Sequence, residues 1–177
     1  STGSILKPFL CYAMLQEGSL LPDMLLPDIP ININGFTPQN FSLQYEGAVP
    51  ASEALARSLN IPAVMMLQRY GVPKFHNFLQ QTGFKTITRP SSHYGLSLIL
   101  GGAEATLWDV TNVYAQMGRA LVPDLTPRLT KEKEAKITEA KDEDEEEKEE
   151  KEKKKTARHT YIWDKGAVWQ TFNALKE

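Results

Sequence analysis

Cysteine is nearly absent: Cys11 is the only one in 177 residues, so no disulfide can form within the chain. It sits among Phe9, Leu10, Tyr12, Met14 and Leu15, where a free thiol is expected to pack as a small hydrophobe. Histidine is also scarce. His76, His93 and His159 share no ligand spacing, so neither a metal nor any other cofactor is expected. No apolar run approaches the roughly 20 residues needed to cross a bilayer. The longest stretches are interrupted, Leu20–Leu26 by Pro22 and Asp23 and Leu96–Leu100 by Ser97. The pattern of a basic start, an apolar stretch and a small-residue cleavage site is not found in these residues. Excess charge is lacking too, and a net charge of -2 gives no reason to expect nucleic acid or an anionic membrane surface as a partner.

What charge there is lies unevenly. The run Lys131–Lys155 holds 9 Lys and 12 Asp or Glu, leaving the rest of the chain close to neutral. It reads as a solvated low-complexity insertion or an exposed helix laced by i,i+4 pairs. Leu125–Thr130 and His159–Trp163, on either side, have some strand character. Elsewhere the 41% hydrophobic content is that of a globular domain. Apolar spacing predicts a helix from Ser4 to about Gln16, with Pro8 in its first turn and Gly18 as its stop. From Leu20 to Pro50 the density of Pro, Asn and Gly predicts an extended loop with short turns. Further helices are expected over Ser52–Leu59, Pro62–Tyr70, Pro73–Gln81, Thr106–Gly118 and Gly166–Leu175. The chain opens without Met and closes inside a predicted helix, so an excised piece of a longer protein is expected.

Two short patterns can carry chemistry. Ser4-Ile5-Leu6-Lys7 is an S-x-x-K tetrad at a predicted helix start, where residues three apart share a face. A serine hydroxyl becomes a useful nucleophile only when a base takes its proton, and Lys7 is placed to do so. The positive end of a helix favours the neutral amine, and backbone amides there can stabilise an oxyanion. A chain of this length holds about one S-x-x-K by chance, so the tetrad alone equally fits a helix cap beside a surface lysine. The second pattern, Ser58-Leu59-Asn60, lies about fifty residues on. Serine acyl enzymes pair S-x-x-K with such a triplet. Ser58 can relay a proton between Lys7 and a leaving group, and the Asn60 amide can orient a substrate carbonyl. Alternatively, Asn60 merely ends a helix before Pro62. Asp109 and Glu104 read as helix-start charges, Trp108, Tyr114 and Met117 as core, and His93 as a structural residue bonded to nearby backbone.

Together these segments resemble a known family. Ser1-Thr2-Gly3-Ser4-Ile5-Leu6-Lys7-Pro8-Phe9 resembles the active-site segment of class A penicillin-binding proteins. The stretch from Gly47 through Ala54-Leu55-Ala56-Arg57-Ser58-Leu59-Asn60-Ile61-Pro62-Ala63-Val64 is similar to their second motif. His93-Tyr94-Gly95-Leu96-Ser97-Leu98-Ile99-Leu100-Gly101-Gly102-Ala103-Glu104 looks most like the 1C type. The resemblance runs from Ser1 to about Pro123 and resumes at Trp163–Glu177.

The resemblance implies a D,D-transpeptidase acting on peptidoglycan stem peptides, with β-lactams as covalent inhibitors. Ser4 would be its nucleophile, Lys7 the base, Ser58 a catalytic partner and Asn60 a substrate-binding residue. It implies the periplasmic side of a bacterial inner membrane, reached through an N-terminal anchor missing from this chain. The fold implied is α/β and β-lactamase-like, a sheet sandwiched by helices. This chain is expected to be a mainly α fragment of it, with short strands near Gly95–Leu100 and flanking the charged run. Residues 1–177 then form a partial transpeptidase domain with 131–155 as an insertion. The family's third motif, K-T-G, is absent, since Lys85-Thr86-Ile87 and Lys155-Thr156-Ala157 do not match it. A β-lactamase, a D,D-carboxypeptidase or a non-catalytic interaction domain on the same scaffold are the alternatives. Without the K-T-G strand, the 177-residue chain alone is expected to react with a fluorescent penicillin at least about a hundredfold more slowly than an intact site. Rapid stoichiometric labelling of the isolated chain contradicts this.

Overall fold

The computed structural model describes residues 1–122 and 162–176. The charged run 131–155 and Leu125–Thr130 lie outside these residues, and of His159–Trp163 only Ile162 and Trp163 are described, neither in a strand. The elements in chain order are α1 (Lys7–Gln16), β1 (Leu25–Asp28), β2 (Gly47–Pro50), α2 (Ala51–Ala56), α3 (Asn60–Tyr70) and α4 (Val72–Thr82). After them come α5 (Ser91–Tyr94), a 3-10 helix over Gly95–Leu100, α6 (Leu107–Leu121) and α7 (Lys165–Ala174). The described part is thus mainly helical, as expected.

Helix α1 is the centre of the molecule. Lys7 through Met14 are all buried, so the helix is enclosed on every side, and α2, α3, α4 and α7 pack around it. Regular helix begins at Lys7 rather than at Ser4, because residues 3–6 form a turn that leads into it. Pro8 stands in the first turn, where its missing N–H leaves no bond unmade. The helix ends in a Schellman motif. Gly18, at φ +69°, donates its N–H to Leu15 O at 3.0 Å, and Ser19 N–H donates to Met14 O at 3.0 Å. Phe9 packs edge-on against Phe84 with centroids 5.4 Å apart, and Cys11 is buried as expected.

The expected helices all form, displaced by one to three residues at their ends. Thr106 caps α6 by accepting the Asp109 N–H at 3.0 Å, so Asp109 is a helix-start charge. Three expectations fail. The stretch Leu20–Pro50 holds an antiparallel pair, with Leu26 opposite Val49 and Asp28 opposite Gly47. Two-residue alternation along β1 buries Leu26 and Asp28 on the same side. Gly95–Leu100 is a 3-10 helix and not a strand: a short apolar run does not by itself distinguish the two. Trp108 is 73% exposed at the start of α6, whereas Met117 is fully buried and Tyr114 half-buried, because the core-facing stripe of α6 runs through Val113 and Met117.

Tyr12 ties the last helix to the first. Its hydroxyl donates to Ile162 O at 2.7 Å and accepts the Asp164 N–H at 2.6 Å, while its ring lies 4.7 Å from that of Trp163. Tyr12→Phe keeps the packing but leaves both backbone groups unpaired. It is expected to cost about 1–3 kcal/mol in urea unfolding, against near-neutrality if α7 docks by apolar contact alone.

Candidate active site

Three separate stretches meet at the start of α1. The Lys7 side chain is 2% exposed, and its Nζ donates to Ser58 O at 2.7 Å, to Asn60 Oδ1 at 2.7 Å and to Ser58 Oγ at 3.2 Å. These three acceptors match the three N–H donors of an ammonium. Among the described residues no carboxylate pairs with Lys7, and burial lowers its pKa from an ordinary 10.5 to about 8. Desolvation, not the helix end, is therefore the main cause. Once neutral, the amine has two N–H groups and one lone pair. The two carbonyl-type oxygens can only accept, which leaves the lone pair facing the Ser58 hydroxyl.

Ser58 reaches this position through its backbone. It has φ +54° and occupies the C′ position of α2, with its N–H on Leu55 O and the Leu59 N–H on Ala54 O, both 2.9 Å. Glycine is the usual occupant of that left-handed conformation, and a serine there carries strain of order 1–3 kcal/mol. The same turn aims both oxygens of Ser58 at Lys7. Arg57, immediately before it, ion-pairs with Glu46 and Glu53, joining the entry to β2 to the end of α2.

Asn60 opens α3 and does not close a helix before Pro62. Its amide is engaged at both ends, with Oδ1 on Lys7 and Nδ2 donating to Gln39 O at 2.8 Å. Leu59, at the N-cap, has no side-chain acceptor to offer. The acceptor comes instead from Asn40, whose Oδ1 takes the N–H groups of Asn60 at 3.0 Å and Ile61 at 3.2 Å. Sequence reading placed Asn40 and Gln39 in a turn-rich loop and missed this role. The only available signal was the length of that loop, since long loops in compact domains are often functional.

Ser4 lies in the turn ahead of α1, exposed, with its carbonyl accepting the Lys7 backbone N–H at 3.1 Å. Its hydroxyl makes no hydrogen bond among the described residues. The structure thus brings Lys7, Ser58 and Asn60 together, while the Ser4 hydroxyl does not join their hydrogen bonds among the described residues. The lead-in to Ser4 is fixed by the Gly101–Ala103 turn. Thr2 N–H donates to Ala103 O at 3.0 Å, and Ser1 Oγ donates to Gly101 O at 2.8 Å. A Cβ on Gly101 would lie 2.6 Å from Ser1 Oγ and 2.9 Å from Gly3 N, so only glycine admits this approach. Of the other polar residues, His76 contacts Arg89 O at 2.8 Å, and His93 contacts the Arg89 guanidinium at 2.8 Å rather than backbone. His159 lies outside the described residues, and among those described no cluster of potential metal ligands forms.

The site thus holds a buried lysine with a hydroxyl and an amide at its tip, three residues after an exposed serine in the sequence. Residues 1–161 match the family described as penicillin binding protein transpeptidase domain, and the chain belongs to that family. Penicillin-binding protein 1C of Escherichia coli (strain K12) is 41% identical over 119 residues, covering 67% of this chain and 16% of the relative. Penicillin-binding protein 1F of Bacillus subtilis (strain 168) is 38% identical over 103 residues, covering 58% of this chain and 14% of that protein. The chain therefore spans about a sixth of the length of such relatives. The crystal structure of penicillin-binding protein 1A from Haemophilus influenzae is 32% identical, with a TM-score of 0.56 over 65% of this chain and 17% of that one. The PonA1 protein from Mycobacterium tuberculosis, in complex with penicillin V, is 20% identical with a TM-score of 0.58, over 67% of this chain and 35% of that one. At that identity the likeness concerns fold alone.

The state of Lys7 sets a pH dependence. Its folded pKa of about 8 lies below the ordinary 10.5, so between these values the unfolded chain binds more protons and stability rises with pH. Cys11 and Tyr12, both pushed up to about 12 by burial, act in the opposite direction above their ordinary 9.0 and 10.0. Between about pH 7.5 and 9 the chain is therefore expected to gain about 1 kcal/mol of stability relative to Lys7→Met. Urea unfolding of both proteins at the two pH values checks this, and parallel curves contradict it.

Proposed function

We propose that this chain carries the nucleophile half of a peptidoglycan D,D-transpeptidase site, with Ser4 as nucleophile, Lys7 as base, Ser58 as proton relay and Asn60 as the residue that positions Lys7. The observation that carries this reading is a buried lysine, without a carboxylate partner among the described residues, bonded to both Ser58 and Asn60. A pKa of about 8 leaves a usable fraction of Lys7 neutral near pH 7, as a general base requires.

In this reaction Ser4 Oγ attacks the carbonyl of the D-Ala-D-Ala bond of a stem peptide. The hydroxyl proton goes to Lys7, the C–N bond breaks, and the proton is delivered through Ser58 to the departing D-Ala amine. The acyl-Ser4 ester is then attacked by an amine of a second stem peptide, which frees Ser4 and forms the cross-link. A β-lactam enters by the same attack, opening its ring and leaving a penicilloyl ester on Ser4. The chemistry needs neither metal nor cofactor. Asn60 keeps one Nδ2 hydrogen beyond the one given to Gln39, and that hydrogen is available to a substrate carbonyl. Such a reaction belongs on the periplasmic side of the inner membrane. Among the described residues no helix is long and apolar enough to cross a membrane.

The full-length protein is to be incubated with a fluorescent penicillin and mapped by peptide mass spectrometry. The penicilloyl mass is expected on the peptide containing Ser4 and is lost in Ser4→Ala. Lys7→Met is expected to slow acylation by about a hundredfold or more. Labelling that persists in Ser4→Ala contradicts the assignment, and rapid loss of the adduct points to a hydrolase instead.

A further inference from the structure

Beyond the residues of the two motifs lies a buried polar chain that ends on Asn60. Asp28 and Asn40 are 1% and 2% exposed, in a segment that otherwise consists of turns and one short strand pair. Asn40 uses every hydrogen-bonding position it has. Its Oδ1 accepts two backbone N–H groups at the start of α3, and its Nδ2 donates to Asp28 Oδ1 at 2.6 Å and to Gln44 O at 3.0 Å. Asp28 is held in turn by the Glu46 N–H, which donates to its Oδ2 at 3.0 Å.

A side-chain amide can sit in two orientations of nearly the same shape, so its direction depends on its partners. Here the partners at both ends of the chain leave no choice. Asp28 and the Gln44 carbonyl only accept, so they fix Nδ2 of Asn40, and Oδ1 must face α3. The docked loop then presents Gln39 O to Asn60, and this acceptor fixes Nδ2 of Asn60. The other end of the Asn60 amide faces Lys7, which when charged can only donate. Flipping Asn40 would set donor against donor and acceptor against acceptor in a buried place, where unpaired polar groups are most costly, and flipping Asn60 would set its Nδ2 against the charged Lys7 and its Oδ1 against the more exposed Gln39 O.

We infer that Asn40, locked by Asp28, is a positioning residue that fixes the Asn60 side chain with its carbonyl oxygen toward Lys7. The loop Leu20–Pro50 is thereby part of the site, although among the described residues none of its side chains hydrogen-bonds to Lys7. Asn40 also caps α3 in place of the missing local cap, so the clamp sets the helix start and the amide direction together. Its place in a reaction rests on the acyl-transfer reading above, whereas its control of Lys7 does not and is measurable on its own.

The 177-residue chain, with 13C-labelled lysine and the Lys7 signal assigned through Lys7→Met, allows direct titration of the amine. The carbonyl of Asn60 favours the charged amine, so releasing it in Asn40→Ala is expected to lower the Lys7 midpoint by about one unit. Asp28→Asn, which sets a new amide donor against either Asn40 Nδ2 or the Glu46 N–H and so loosens the clamp, is expected to shift it in the same direction. The exchange Asp28→Asn with Asn40→Asp restores a donor opposite an acceptor between the two side chains and keeps an acceptor for α3, with the bond to Gln44 O alone given up. It is expected to bring the midpoint back toward the unaltered value. A folded Asn40→Ala with an unchanged midpoint overturns the inference. If Asn40→Ala does not fold, the exchange decides: a midpoint no nearer the unaltered one than that of Asp28→Asn overturns it equally. Penicillin labelling of the full-length protein is read in parallel. Failure of Ser4 to label while the Lys7 shifts occur removes the acyl-transfer reading and leaves the clamp standing.

Discussion

The structure depends on accommodating one charged lysine inside an otherwise apolar centre. Lys7 is itself buried beside Leu6, Phe9 and Leu10 in the chain, and among the described residues its ammonium is met by protein oxygens. Two carbonyl-type oxygens and one hydroxyl do this. They come from residues about fifty positions away, which must therefore be placed with little tolerance. An ammonium stripped of water is costly unless each of its donors finds an acceptor. The incomplete repayment appears as the lowered pKa, and that lowered pKa makes the group useful as a base.

Each neighbouring feature follows from this need. Helix α2 ends in a left-handed serine rather than glycine, because a glycine would supply the carbonyl but not the hydroxyl. Helix α3 begins without its own cap, because Leu59 at the N-cap has no side-chain acceptor, and Asn40 supplies the missing acceptor from outside. The loop before β2 is long because it must carry Gln39 and Asn40 to that helix end and return to pair with β1. On the other side, Gly101 lets the Ser1–Gly3 segment approach closely enough to bring Ser4 to the start of α1. A left-handed serine and a buried lysine thus meet at one place in the fold.

What could be read from the sequence was what local pattern encodes. The helices over Pro62–Tyr70 and Pro73–Gln81 were legible because proline marks a helix start and apolar spacing marks its face. Gly18 was legible as a stop because the Schellman turn needs a residue at positive φ. Lys7, Ser58 and Asn60 were legible as a set through their resemblance to a family, not through any one of them. The pairing of Leu26 with Val49 was hidden because it joins residues far apart in a stretch whose prolines and asparagines advertise turns. Gly95–Leu100 was misread because four apolar residues broken only by Ser97 suit a strand and a tight helix alike. Trp108 was misplaced because periodicity gives a stripe but not its edges. Asn40 was missed for a deeper reason: a buried asparagine and a turn asparagine look the same in sequence, and only the convergence of Asp28, Gln44 and α3 distinguishes them.

The central claim is that Lys7 is a desolvated amine held by neutral oxygens and able to lose its proton near neutral pH. The most direct measurement is the titration of its side-chain carbons by NMR in the unaltered chain. An inflection near pH 8 is the expected result. An inflection at the ordinary lysine value of 10.5 contradicts the account, because Lys7 would then be solvated and could not serve as the base.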